Sequence, residues 1–105
     1  MEGLDYPIEH FEQMVRLAIA LKGCSAQVLE QTYHYSAFGS WVVIFLHREQ
    51  PLRIVFDGRD REYVLEESAS QRRPYEWRGV LWRTLAPDAE EVWLPDLVAA
   101  IERRA

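Results

Sequence analysis

Cysteine, lysine and long apolar runs are scarce in this chain of 105 residues. The single cysteine, Cys24, cannot form an internal disulfide, so nothing indicates an oxidising compartment, and a thiol in the core or at a helix end is its simplest role. The longest apolar run covers six residues, Trp41 to Leu46, and is too short to span a membrane as a helix. The N-terminal residues do not resemble a secretion signal. We therefore expect a cytoplasmic protein without a membrane span.

Sequence motifs for catalysis and metal binding are also missing. His10, His34 and His47 fall on different predicted elements and lack zinc-type spacing, so we expect surface or half-buried histidines. Ser36 and Ser40 flank a short turn, but neither lies in a nucleophile elbow, and no glycine-rich phosphate loop is present. The sequence therefore carries no recognisable signal for catalysis, and we expect no catalytic residue, no metal site and no cofactor.

The distribution of charge argues against nucleic acid as a partner. The net charge is −5, and the central segment, residues 53–83, nearly balances seven arginines against six acidic residues. Residues 1–52 carry six acidic and three basic residues, and residues 84–105 carry five acidic and two basic residues. Acidic flanks disfavour attraction to phosphate backbones and are compatible with a basic protein partner.

Apolar and aromatic residues, by contrast, are plentiful. Hydrophobic residues make up 49% of the chain, which includes four tryptophans, five tyrosines and four phenylalanines. This content is sufficient for the core of one globular domain, and no linker or repeat divides the sequence. We expect a single domain over residues 1–105.

The periodicity of the apolar residues predicts an α+β domain. Apolar residues recur at helical spacing over residues 7–23, and Gly23 suits the end of that helix. Short runs rich in Val, Ile and aromatic residues follow, and they predict an antiparallel β-meander of about five strands. The strands are placed at residues 27–35, 41–48, 52–57, 62–67 and 76–83. A short C-terminal helix follows, and Pro95 is expected to separate it from a preceding turn.

The densely charged stretch "RIVFDGRDREYVLEE", residues 53–67, is interpreted first as a β-hairpin. Asp-Gly between two alternating apolar runs is typical of a tight hairpin turn. We expect Gly58 to supply a positive φ and Asp57 to accept backbone N–H groups within the turn. Arg53 or Arg61 is expected to lie across from Glu62 or Glu66 in exposed cross-strand pairs. The acidic residues do not follow the pattern of a calcium loop. The exposed turn is retained as a candidate recognition tip.

The aromatic strands suggest a protein-binding surface. The second strand is apolar on both faces, so the first helix is expected to cover one face and the C-terminal helix part of the other. In the fifth strand, alternation places Trp77 and Leu81 on one side and Val80 and Trp82 on the opposite side. Exposed Trp, Tyr and Arg side chains are typical of binding hot spots. The candidate protein-binding residues are Asp57, Arg59, Asp60, Arg61, Trp77, Trp82, Tyr33 and Tyr35.

The combination of elements resembles a class of bacterial protein. The chain is similar to small acidic immunity proteins in the order of its elements. These are an N-terminal helix, a meander with an "FGSW" turn, the "RIVFDGRDREYVLEE" hairpin, a Trp-bearing last strand and a short terminal helix. Bacteria encode these proteins beside polymorphic or secreted toxins. The resemblance implies a cytoplasmic, noncatalytic protein that neutralises a cognate toxin by covering its active site or substrate cleft. The toxin would be a basic protein such as a nuclease.

Two alternatives remain open at this point. A helix packed on a curved antiparallel sheet is also the plan of cystatin-like and NTF2-like domains, which bind small ligands or catalyse reactions on a concave sheet face. Tyr33, Tyr35 or His47 would then line the pocket. In the second alternative, a homodimer hides the aromatic face of the sheet against a second copy of the chain.

Overall fold

The structure, a computed structural model, describes residues 6–84 and 93–103. Its elements confirm the predicted α+β class, with an N-terminal helix, an antiparallel sheet and a short C-terminal helix. The turn predicted before Pro95 falls within residues 85–92, outside the described residues. The elements are α1 (Tyr6–Gly23), β1 (Gln27–His34), β2 (Ser40–His47), β3 (Gln50–Asp57), β4 (Glu62–Ser68), β5 (Trp77–Thr84) and α2 (Trp93–Glu102).

The five strands form one antiparallel sheet in chain order, from β1 at one edge to β5 at the other. Large apolar residues align across neighbouring strands, as in the row formed by Trp41, Phe56 and Tyr63. We call the side of the sheet that carries this row the inner face. Its fully or nearly fully buried residues are Trp41, Val43, Phe45, Leu52, Ile54, Phe56, Tyr63 and Leu65.

Both helices pack on the inner face. The apolar core joins Met14, Leu17 and Leu21 of α1 and Trp93, Leu97 and Ile101 of α2 to the inner-face residues. The two helices also contact each other, and the ring of Trp93 lies 6.0 Å from that of Tyr63. One core therefore lies between the sheet and a layer of two helices.

The expectation that α2 covers the opposite side of the sheet is wrong. Five strands spaced about 4.8 Å apart span about 19 Å, whereas a helix with its side chains is only about 10 Å wide. A single helix would leave half of the inner face exposed to water, so α1 and α2 lie side by side on it. On the side of β2 that the helices do not cover, Val42 and Leu46 are only half-buried, whereas Ile44 between them is buried.

The start of α2 also differs from the expectation. The helix begins at Trp93 and includes Pro95 in its first turn. The first backbone N–H groups of a helix have no partner within the helix, so a proline there removes no hydrogen bond. Pro95 therefore lies inside α2 and does not separate it from a turn.

The turn between β3 and β4 depends on glycine for a different reason from the one expected. Among the described glycines only Gly39 has a positive φ, so the expectation for Gly58 is wrong. The left-handed residue of this turn is Arg61, with φ of 54°. A Cβ atom at Gly58 would overlap the carbonyl oxygen of Phe38, which belongs to the β1–β2 turn. Gly58 is thus required for the close approach of two turns.

Two further hydrogen bonds hold these turns together. The backbone N–H of Gly58 donates to Oγ of Ser40 at 2.9 Å. Nδ1 of His10 in α1 donates to the carbonyl oxygen of Phe38, also at 2.9 Å. The ring of His10 contacts that of Phe56, with 4.9 Å between their centres. The N-terminal half of α1 and both turns therefore form one packed end of the domain.

We predict that Gly58→Ala lowers the free energy of unfolding by about 2 to 4 kcal/mol, because the added methyl group must displace the Phe38 carbonyl. Chemical denaturation measures the change. Gly23→Ala is the matched control: an added Cβ there meets no atom within 4 Å. Since Gly23 ends α1, alanine should leave stability unchanged or raise it by up to about 1 kcal/mol. Equal effects of the two substitutions would contradict the packed-turn explanation.

Candidate protein-binding surface

The side of the sheet opposite the helices, which we call the outer face, carries a row of apolar side chains. The strand register places Val42, Val55, Val64 and Trp82 side by side across β2 to β5. We call these four residues the outer row. The three valines are half-buried, and none of the described helices packs on them. The outer row is therefore partly exposed, and its exposure is greatest at Trp82.

A β-bulge places both tryptophans of β5 on the outer face. Leu65 pairs with Leu81, but the next residue of β4 pairs with Gly79, so Val80 is an additional residue in β5. Val80 and Leu81 both pack against the inner core. Because of this additional residue, the side chain of Trp82 lies on the same face as that of Trp77. The expectation that these tryptophans lie on opposite sides is therefore wrong.

Trp82 is one of the most exposed large apolar residues, at 65%. Its indole packs against the backbone at Gly79, since a Cβ atom there would overlap the six-membered ring. Glycine in a strand commonly marks such a close approach. The ring is thus supported from beneath by β5 while much of its surface remains available for binding.

Trp77 is held by an arginine from the centre of the sheet. Nε of Arg53 donates to Oε1 of Glu66 at 2.6 Å, which is one of the cross-strand pairs that the sequence left open, although both side chains are half-buried and not exposed. The guanidinium carbon of Arg53 also lies 4.6 Å from the centre of the Trp77 ring. A cation–π contact of this kind, added to the ion pair, restricts both side chains to one arrangement.

The hairpin tip, residues 57–61, is ordered by its first aspartate. Oδ1 of Asp57 accepts the backbone N–H groups of Arg59 at 2.9 Å and Asp60 at 3.3 Å, as predicted. Asp57, Arg59 and Asp60 are exposed, and Arg61 is half-buried. The guanidinium carbon of Arg59 lies 5.9 Å from the ring centre of Phe38, which is itself exposed. The tip therefore presents charged groups beside an aromatic ring.

The two candidate tyrosines have different surroundings. Tyr33 pairs with Trp41 and so belongs to the inner side of β1, where its ring lies 5.3 Å from that of Phe11. It is half-buried and packs against the core. Tyr35 is 60% exposed in the β1–β2 turn. Tyr33 is therefore mainly a packing residue, and Tyr35 is available to solvent.

A shallow depression connects the hairpin tip to the outer row. It has a volume of about 180 Å³, and its lining includes Val55, Val64 and Trp82 together with Asp57 and Glu62. The structure thus brings Trp82 together with the start of the tip. Trp77 lies farther along the same face, and Tyr33 lies on the other side of the sheet.

Several residues of this surface were not predicted from the sequence. Arg53 was expected only as a possible charge partner of Glu62 or Glu66, and its contact with Trp77 was not expected. Gly79, inside a strand pattern and between two tryptophans, is a signal for a bulge or a close approach. The pairing of Val55 with Val64 agrees with the strand bounds expected from the sequence, 52–57 and 62–67, but Trp82 joins the outer row only through the bulge.

A second concave site lies between the inner face and α2. It is a cleft of about 400 Å³ with polar lining from His47, Gln50, Glu67 and Arg103. His47 is 3% exposed and His10 is 2% exposed, so the expectation of surface or half-buried histidines is wrong for both. Burial lowers the pKa of the His47 imidazole, and the charge of Arg48 lowers it further, against the opposing effect of Glu102.

The cysteine has the helix-end role that was expected. Sγ of Cys24 donates to the carbonyl oxygen of Leu21 at 3.3 Å, just after α1 ends. Partial burial raises the pKa of the thiol, and the negative charge of Glu102 raises it further. The thiol therefore stays protonated at neutral pH, and this disfavours a nucleophilic role.

Comparison of the chain with protein-family models, with curated proteins and with solved structures found no match in any of the three. Among the described residues, no group of three or more His, Cys, Asp or Glu side chains is placed to hold a metal ion. Neither helix in the described part of the chain is long and apolar enough to cross a membrane.

We predict that the free energy of unfolding falls as the pH is lowered from about 7 to 5, with a contribution from His47. The unfolded-state pKa of histidine is 6.5 and the folded-state pKa of His47 is lower, so the unfolded chain takes up the proton first. The stability conferred by neutral His47 is thus complete above pH 6.5 and is lost as the pH falls through the folded-state pKa. Urea denaturation across this range measures the slope.

His47→Gln should reduce that slope, because a glutamine side chain takes up no proton in this pH range. Identical slopes for the wild-type protein and His47→Gln would contradict the assignment.

Proposed function

We propose that the protein is a noncatalytic protein-binding module, and specifically a cytoplasmic immunity protein that binds and neutralises a cognate bacterial toxin. The observation that carries this proposal is the outer row, three half-buried valines and the exposed Trp82 on the sheet face that neither described helix covers. The α+β architecture is compatible with the sequence resemblance to immunity proteins.

The arrangement of the tryptophans supports tight binding. Trp82 rests on the backbone at Gly79, and Trp77 is fixed by Arg53. Side chains that are already restrained lose little conformational entropy when a partner covers them, so more of the burial energy contributes to affinity. Tryptophan and arginine are also the residue types most enriched in binding hot spots.

Charge favours a basic partner. Asp57 and Glu62 line the depression beside Trp82, and the chain as a whole carries a net charge of −5. Acidic groups at the border of an apolar patch steer association with a basic surface and raise the association rate. A toxin with a basic substrate cleft, such as a nuclease, has the matching chemistry.

We predict that Trp82→Ala weakens binding to the toxin by at least about 2 kcal/mol, because the indole provides the largest exposed apolar surface of the outer row. The candidate toxin is the product of the adjacent gene, and calorimetric titration of the two purified proteins measures the affinity. Ile19→Ala is the matched control, since Ile19 is equally exposed at 65% but lies on α1.

Co-expression provides the biological test of the same proposal. The adjacent product should inhibit growth alone and lose its toxicity when this protein is present. A product that is harmless alone, or that stays toxic and unbound, would contradict the immunity function.

The cleft beside α2 supports a second candidate, a small-ligand-binding or enzymatic domain of the cystatin-like or NTF2-like kind. The supporting observation is His47, which is almost fully buried and lines the cleft with Gln50. Neither Tyr33 nor Tyr35 is part of its lining, in contrast to the expectation. A small molecule that raises the melting temperature of the wild-type protein but not of His47→Phe would favour this function over toxin binding.

A further inference from the structure

The first helix carries a stripe of apolar side chains that are not buried in the core. Phe11, Val15 and Ile19 lie at successive turns of α1 and are 45%, 36% and 65% exposed. The core contacts of α1 come from a different side of the helix, which carries Met14, Leu17 and Leu21. Three exposed apolar side chains in line are unusual on a helix whose other side is already packed, and they indicate an interface.

The stripe lies beside an edge of the sheet that is poorly suited to pairing. Phe11 contacts Tyr33 of the edge strand β1, with 5.3 Å between ring centres. This strand contains a bulge between Val28 and Glu30, and Glu30 is exposed on it. A bulge and a charged residue both disfavour the addition of another strand. A partner is therefore expected to dock on the helix and not to extend the sheet.

The charges beside the stripe match a second copy of the same helix. Glu12 and Arg16 are exposed and lie one turn apart along the same flank of the stripe. A two-fold axis at Val15 sets two α1 helices antiparallel, with Phe11 of one copy against Ile19 of the other. The same operation brings Glu12 of each copy beside Arg16 of the other copy, so the surface is complementary to itself.

We propose that the protein forms a two-fold symmetric homodimer through antiparallel contact of the α1 stripes. The dimer buries Phe11, Val15 and Ile19 of both copies and forms two ion pairs between Glu12 and Arg16. The α1 stripe and the outer face lie on different sides of the domain, so each copy keeps its outer row open. The dimer is therefore independent of the proposed toxin binding.

Sedimentation equilibrium of the purified full-length chain over a range of concentrations tests the dimer. The wild-type protein should fit a reversible monomer–dimer equilibrium. Ile19→Lys should raise the dimer dissociation constant about tenfold or more, because it places two charges in the apolar contact. Trp82→Lys is the matched control: it alters an equally exposed residue, at 65%, and should leave the equilibrium unchanged.

A charge exchange tests the two-fold arrangement. Glu12→Arg should weaken the dimer by setting two arginines together, and Glu12→Arg combined with Arg16→Glu should restore it. Circular dichroism of each variant is the control for folding, and we expect all variants to be folded because the substituted positions are exposed. A monomer at all concentrations would overturn the proposal. Dissociation caused by Trp82→Lys and not by Ile19→Lys would also overturn it and would place the interface on the outer face.

Discussion

A helix is about half as wide as the five-stranded sheet it packs against, and the arrangement of this domain depends on that mismatch. The large inner-face residues of β2, β3 and β4 need more cover than α1 provides, so α2 must lie beside α1. Both described helices therefore pack on the inner face. The outer face is left without cover from them, and the valines of the outer row stay half-buried while Trp82 stays exposed.

The outer face nevertheless contains charged residues among its apolar ones. Its centre combines half-buried valines with the Arg53–Glu66 ion pair, so charge is interspersed with apolar surface. Tryptophan is presented at only one side, on β5, where the bulge and Gly79 determine its position. A surface of this kind can remain exposed in the free protein and still provide a large apolar contact when a partner covers it.

Local patterns were sufficient to predict the elements but not their relative placement. Helical spacing located α1, and the Asp57-Gly58 pair located the β3–β4 hairpin, because both signals arise from neighbours in the chain. The common face of α1 and α2 depends on the width of the whole sheet. The shared face of Trp77 and Trp82 depends on one additional residue in β5, which alternation cannot reveal. The sequence identified Gly58 as the glycine of the β3–β4 turn. The contact that requires glycine there is with Phe38, which is twenty residues away in the sequence and could not be predicted from neighbouring residues.

The order of the strands has a consequence for how the chain folds. Every strand pairs with its immediate successor, so each hairpin can form after a short loop closes and with little loss of chain entropy. We expect the docking of α2 to come later, because this helix follows the sheet in the chain and completes the core beside β4 and β5. During synthesis on the ribosome, that part of the sheet emerges before α2 and stays exposed until the helix docks. We therefore expect the nascent chain to expose apolar surface of the sheet, and with it a tendency to aggregate, until Trp93, Leu97 and Ile101 become available.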